Sequence, residues 1–251
     1  MKIAVLGATR GIGRAFARLV AERGHRVFLL GNELDDLERS ARDVEQRGVT
    51  RPGAEPQTVG VALCDLERPE TFGPALSAAD EALDGFDTVV VTAALFASQE
   101  ALEDNSDLAR RLLTVNFANT VMFCELARKL LLSRGGGTLC VISSVAGERG
   151  RKPVVIYGAG KAGLTRYLEG LDHKFRAQGL KTVCIKPGFV KTSMTDGLRP
   201  PPFAAEPAEV AAGMLSAIEK GTPVRYTPHI WALIMLVIRW LPRFVMRRIG
   251  F

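Results

Sequence analysis

KIAVLGATRGIGRA occupies residues 2–15, and its reading decides the fold. An apolar run ends in Gly7, and Gly11 and Gly13 follow at G-x-x-x-G-x-G spacing, opening a helical stretch at 12–23. Strand, glycine turn and helix start form the opening of a βαβ unit. Glycine permits the tight turn and a close backbone approach. The free N–H groups and dipole at a helix N-terminus favour an anion. Gly7, Thr9, Arg10, Gly11, Ile12 and Gly13 are therefore candidates to hold a pyrophosphate. A turn that merely needs glycine is the competing reading, and the placement directly after a strand favours the first.

Outward from this stretch the pattern alternates. Strand-like runs recur at 26–30, 58–64, 87–94, 137–144, 181–188 and 223–227. Helical stretches lie between them at 33–47, 108–133, 156–178 and 207–221, with a polar loop at 48–57. Near-continuous Val/Ile/Leu runs are expected for strands buried on both faces. The fold expected is α/β: a single doubly wound Rossmann domain over 1–228, with a mostly parallel seven-stranded sheet and helices on both faces. Residues 189–206 (FVKTSMTDGLRPPPFAAE) are expected to form a substrate lid, stiffened by three prolines, and 229–251 an apolar, basic helical extension.

Composition is ordinary for a globular chain, with 47% hydrophobic and 24% charged residues. That excludes disorder, collagen and coiled coil for the whole. The net charge is +6, but Arg225, Arg239, Arg243, Arg247 and Arg248 crowd the last 27 residues, which contain no Asp or Glu. A nucleic-acid binder spreads its cations over a folded face, so no nucleic acid is expected. Cys64, Cys124, Cys140 and Cys184 form no C-x-x-C pair and read as buried free thiols in a reducing compartment, with no metal. Met1 runs straight into a core strand, so no leader is expected.

The second strand ends Leu29-Leu30-Gly31-Asn32, without the carboxylate that usually meets an NAD ribose. Arg10 is placed to face a 2′-phosphate, against the alternative of a solvated loop charge. NADP(H) is preferred and NAD(H) stays open. Tyr157 and Lys161, four apart, share a helix face. An ammonium beside a phenol is expected to lower its pKa and suit it to proton transfer with a carbonyl or alcohol. An ordinary helix face gives the same spacing. Ser144, at a strand end 13 residues before Tyr157, can donate to a substrate oxygen. Asn116, inside a helix, implies either a role or a buried hydrogen bond.

These motifs together resemble the short-chain dehydrogenase/reductase family over residues 2–227: GATRGIG at 7–13, Asp65-Leu66, Asn116, Ser143-Ser144, YGAGK at 157–161 and KPGFVKT at 186–192. The resemblance implies a catalytic tetrad of Asn116, Ser144, Tyr157 and Lys161, with Asn116 helping to carry a relay water. It implies that Asp65 and Leu66 meet the adenine and that Lys161 also holds the nicotinamide ribose. Pro187, Gly188, Val190 and Thr192 would line the nicotinamide side, with Ala93 and Asn32 as further cofactor-side positions. Two departures stand out. The family's Asn-Ala-Gly after the fourth strand is Thr92-Ala93-Ala94-Leu95 here, and Asn32 stands where many NADP users carry Arg.

In the tail, IWALIMLVI (230–238) is too short to span a bilayer, which needs about 20 residues. Arginines at 239, 243 and 247 oppose Trp240, Leu241, Phe244 and Val245, with Pro242 expected to split two short helices. This is the pattern of an interfacial helix. Pocket closure and a homo-oligomer contact (dimer or tetramer) are the competing uses. The tail, with AGERGR at 146–151, is also similar to the decaprenylphosphoryl-2-keto-erythro-pentofuranose reductases. The expected function is an NADP(H)-dependent oxidoreductase acting on the carbonyl of a hydrophobic or lipid-linked substrate. Such a protein would be cytoplasmic and peripheral on the inner face of the membrane. A reductase of a ketoacyl, sphingoid or other free lipid carbonyl, and a non-enzymatic NADP-binding protein, are the alternatives.

Overall fold

The computed structural model describes residues 1–48 and 58–249. The polar loop at 48–57 lies, apart from Gly48, outside the described residues. In chain order the elements are β1 (Lys2–Leu6), α1 (Gly11–Glu22), β2 (Arg26–Gly31), α2 (Leu34–Gly48), β3 (Gly60–Leu63), α3 (Phe72–Ala82) and β4 (Thr88–Val91). Then come α4 (Gln99–Asp104), α5 (Ser106–Leu113), α6 (Thr120–Ser133), β5 (Gly137–Ile142), α7 (Val155–Phe175) and β6 (Leu180–Pro187). The chain continues with α8 (Pro207–Lys220), β7 (Val224–Thr227), α9 (Ile230–Trp240) and α10 (Arg243–Arg248).

The strands order as β3-β2-β1-β4-β5-β6-β7, and every pairing is parallel, where the sequence predicts only a mostly parallel sheet. Alternate side chains of each strand enter opposite layers. Ile3, Val5, Val27, Leu29, Val90, Ile142 and Ile185 pack with buried residues of α1, α2 and α8. Ala4, Leu6, Phe28, Val89, Val141 and Leu180 pack with those of α3, α6 and α7. This two-sided burial is why the strands read as unbroken apolar runs. From β1 the chain winds outward through β2 and β3, then returns to β4 on the other side. The crevice between the β1 and β4 exits is the switch point at which α/β sheets bind ligands.

The stretch 108–133, one helix by its pattern, is two helices joined by a π-helical segment, Thr114–Asn119. Such a segment accommodates one extra residue in a helix and is common at functional sites. All four cysteines are buried and free. The tail forms α9 and α10, separated by Leu241 and Pro242.

Candidate active site

The glycine loop leaves β1 toward β4. Gly7 has φ +90°, and an added Cβ would lie 2.5 Å from Ala93 N. A Cβ on Gly13 would lie 2.1 Å from the Gly7 carbonyl oxygen. No side chain with a Cβ fits either position, so the first turn of α1 packs directly on the exits of β1 and β4. Arg10 precedes α1 in extended conformation. The helix start has no side-chain cap and no acidic residue in its first turn. Its N–H groups are therefore left for an anion. A Cβ on Gly11 would lie 3.2 Å from Thr192 Cγ2, so the diphosphate side and the loop after β6 face each other across a narrow cleft.

The missing Asn and Gly after β4 have a replacement. The Thr92 hydroxyl donates to the carbonyls of Leu6 (2.9 Å) and Gly7 (3.1 Å), and the Ala93 N–H also donates to Leu6 (3.2 Å). Further on, Asn116 bonds both backbone groups of Leu95: its Oδ1 accepts from the N–H and its Nδ2 donates to the carbonyl, each at 2.7 Å. Asn116 is 1% exposed. Its amide thus fixes the β4 loop and is occupied there. Three residues later in the same π segment, Asn119 Nδ2 donates to the Leu66 carbonyl at 2.6 Å. One helical irregularity therefore holds both the loop after β4 and the loop after β3.

The remaining cofactor-side positions are spread along the same edge. Asp65 accepts from the Glu67 N–H (2.9 Å) and pairs with Arg68 (3.5 Å), and buried Leu66 follows it. Asn32 is exposed just past β2. Arg10 is held by Asp36 at 2.8 Å, and Arg39 binds the other oxygen of that carboxylate. Thr9 and Ile12 are partly buried in the loop and first turn. Pro187 ends β6, and the Gly188 N–H donates to Thr227 (3.2 Å). Val190 bridges Ala205, which joins the two ends of the 189–206 segment, and Thr192 caps a short turn with Thr195.

Ser144, Tyr157 and Lys161 meet at the exit of β5. The Ser144 hydroxyl accepts from the Ala146 N–H (3.1 Å) and acts on the Tyr157 phenol, favouring its ionised form. Ser143 points elsewhere, to the Lys161 carbonyl (3.0 Å) and Thr165 (2.7 Å), so Ser143 secures α7 and Ser144 faces the phenol. Lys161 Nζ donates to the Ile142 carbonyl at 2.9 Å and lies 5.8 Å from the centre of the Tyr157 ring. Phe96 meets that ring edge-on at 5.3 Å.

The expected lowering of the Tyr157 pKa is not what these surroundings produce. Burial pushes the phenol up to about 12, against the pull of Ser144. Burial likewise lowers Lys161 to about 8. The ammonium is aimed at the Ile142 carbonyl, and desolvation outweighs its effect on the ring. The phenol in this setting stays neutral at ordinary pH.

A family model described as short chain dehydrogenase matches residues 1–202. The chain belongs to the short-chain dehydrogenase/reductase family. As a member it is an NAD(P)-dependent oxidoreductase. It is 32% identical to an uncharacterized oxidoreductase of Streptomyces coelicolor, over 98% of this chain and 94% of that protein. Carbonyl reductase family member 4 of Xenopus laevis is 28% identical, over 93% and 94% of the two chains. An actinorhodin polyketide ketoreductase solved with NADPH shares the fold at TM-score 0.79 and 21% identity, covering 90% of this chain and 95% of that one.

The glycine cradle, the uncapped start of α1 and the cleft toward Thr192 fit the family's dinucleotide. Several positions that shape the candidate site of this short-chain dehydrogenase/reductase escape sequence reasoning. Thr92 is hidden by the departure from the family's Asn, and Asn119 and Phe96 belong to no motif. Trp231 of α9 is the least expected, since a Cβ on Gly188 would lie 2.0 Å from its Nε1. Met235 and Ile238 of the same helix form a buried cluster with Val145, the residue after Ser144. The tail therefore packs on both loops that border the candidate catalytic residues.

Proposed function

We propose that this oxidoreductase reduces the carbonyl of a hydrophobic or lipid-linked substrate with NADP(H). The observation that carries this reading is α9 packed on Val145 and Gly188, which gives the approach to Ser144 and Tyr157 an apolar wall. The exposed Met194, Leu198 and Phe203 of the 189–206 segment extend that apolar character, and the segment serves as the substrate lid. A polyprenylphosphoryl keto-sugar is the narrower candidate, and a ketoacyl or other free lipid carbonyl is the alternative.

The glycine loop, the start of α1, Asp65, Leu66 and the loop from Pro187 to Thr192 would hold the dinucleotide, which supplies the hydride when bound. Tyr157, kept neutral, gives its proton to the carbonyl oxygen. Ser144 donates a hydrogen bond to the same oxygen as charge develops on it. The Lys161 cation secures the ribose side and stabilises the phenolate left behind. Arg10 and Arg39 converge on Asp36 beside the β2 exit, and a 2′-phosphate taking that place meets two guanidinium groups. Exposed Leu113, Phe117, Met122 and Leu126 favour a homodimer or homotetramer, which sedimentation velocity tests. A cytoplasmic protein working at the inner face of the membrane fits such a substrate.

The test is oxidation of NADPH and of NADH with a membrane-lipid extract and with soluble ketones, comparing the parent with Tyr157→Phe. Tyr157-dependent turnover of the lipid fraction, faster with NADPH, is expected. Turnover confined to soluble ketones overturns the lipid reading, and equal rates with NADH overturn the NADP preference.

A further inference from the structure

α9 is apolar on both of its faces. Met235 and Ile238 point inward with Trp231 and Ile234, into the cluster with Val145 and Tyr226. Leu233, Leu236, Val237 and Trp240 repeat at helical spacing on the other side and are 60, 49, 58 and 81% exposed, and Phe244 of α10 continues the stripe at 61%. A surface helix of a globular protein normally turns a polar face outward. Among the described residues Arg239 has an acidic partner, Glu148, whereas Arg243, Arg247 and Arg248 have none within ion-pair distance. No acid occurs anywhere in residues 225–251.

We propose that the outer face of α9 and α10 docks on an anionic lipid surface, with α9 lying in its plane. A second copy of this chain would also cover the stripe. A two-fold contact, however, repeats the same acid-free patch on both subunits, so this segment of the second copy supplies no anion for these arginines. An anionic bilayer offers hydrocarbon for the stripe and phosphates for the guanidinium groups. Eleven residues of helix span about 16 Å, and among the described residues no helix is long and apolar enough to cross a membrane. The inner face of the same helix borders the candidate active site, so docking turns the pocket mouth to the lipid. This deepens the lipid-substrate reading, but its test needs no turnover.

Both tryptophans of the chain lie on α9, so intrinsic fluorescence reports this helix without a label. The full chain is mixed with vesicles of phosphatidylcholine, with or without an equal share of phosphatidylglycerol, then sedimented and its emission recorded. Binding and a blue shift are expected with the anionic vesicles. Each arginine near such a surface is worth about fivefold in affinity, so Arg243→Gln/Arg247→Gln/Arg248→Gln should lose about a hundredfold. Val237→Glu should abolish the shift. Both variants should keep the parent's unfolding midpoint. Failure of the parent to bind anionic vesicles overturns the proposal. So does equal binding to phosphatidylcholine alone, or a dimer in solution that Val237→Glu dissolves without any vesicle binding. Vesicle binding without lipid-carbonyl turnover removes the substrate reading and leaves docking standing, whereas turnover in detergent without vesicle binding does the reverse.

Discussion

Glu148 follows the short turn after Ser144, and its side chain is only 5% exposed. One carboxylate oxygen pairs with Lys186 of β6, whose side chain is 7% exposed. The other accepts from the Tyr226 hydroxyl at 3.1 Å and meets Arg239 of α9 at 3.4 Å. One buried anion thus ties the serine loop, β6, β7 and the tail together. Glu148→Gln keeps the shape and an acceptor for Tyr226, but it leaves the Lys186 ammonium buried without a counter-charge. Removing one partner of a buried pair costs about 3–5 kcal/mol. Arg239, whose side chain is 44% exposed, adds less than about 1 kcal/mol. For a chain of this size the melting midpoint should fall by about 6–20 °C. The assay is urea and thermal unfolding of the parent, Glu148→Gln, Glu148→Leu, Lys186→Met and the double variant Glu148→Leu/Lys186→Met. The double should be more stable than either single, because an apolar pair leaves no stranded charge. A single variant within about 1 kcal/mol of the parent, or a double whose loss is the sum of the singles, refutes the reasoning.

Tyr157→Phe should lower turnover by about 10²–10⁴-fold while nucleotide affinity, read by NADPH fluorescence, stays at the parent value; a smaller loss would mean that another group donates the proton. Gly188→Ala drives a methyl into the Trp231 indole and should destabilise by about 1–3 kcal/mol; combining it with Trp231→Ala should cancel the clash, and an undisturbed single variant would show that the indole has room. Lys161 titrates at about 8 in the folded protein and at 10.5 when unperturbed. Between those values the unfolded chain holds the extra proton, so stability rises with pH. Tyr157, held at about 12 against 10.0, works oppositely, and its share is lost above pH 10. The four buried thiols, raised by burial, lose their share over the same range in both proteins, so the difference is the readout: relative to the parent, the unfolding midpoint of cofactor-free Lys161→Met should fall as pH climbs from 8 to 10. Asn119→Ala frees the Leu66 carbonyl and should raise the KM for nucleotide with kcat unchanged, and an unchanged KM would dismiss that hydrogen bond.

The sheet was legible because its signals are local. Apolar runs, intervening helices and a glycine turn each declare themselves within about a dozen residues. The Tyr157–Lys161 spacing is legible for the same reason, since four residues along one helix fix a common face. What escaped depends on proximity between distant segments. Nothing near Gly188 announces an indole from residue 231, and nothing near Glu148 announces Lys186 or Arg239. Arg10 reads as a free cation until α2 brings Asp36 beside it. The Tyr157 pKa runs against its spacing because spacing gives adjacency, whereas desolvation, which sequence does not report, sets the larger effect. Hydrophobic periodicity tolerates one inserted residue, so 108–133 reads as one helix.

That inserted residue has a consequence for how the chain can vary in length. Deleting one position between Thr114 and Asn119 would restore regular α-helical bonding, a locally favourable change. The wider π turn absorbs the extra residue, so α5 and α6 would keep nearly the same phase on the sheet. The loss would fall on the segment itself, because a regular helix would no longer present both Asn116 to Leu95 and Asn119 to Leu66. The segment is thus a place where the shorter, more regular sequence is the defective one.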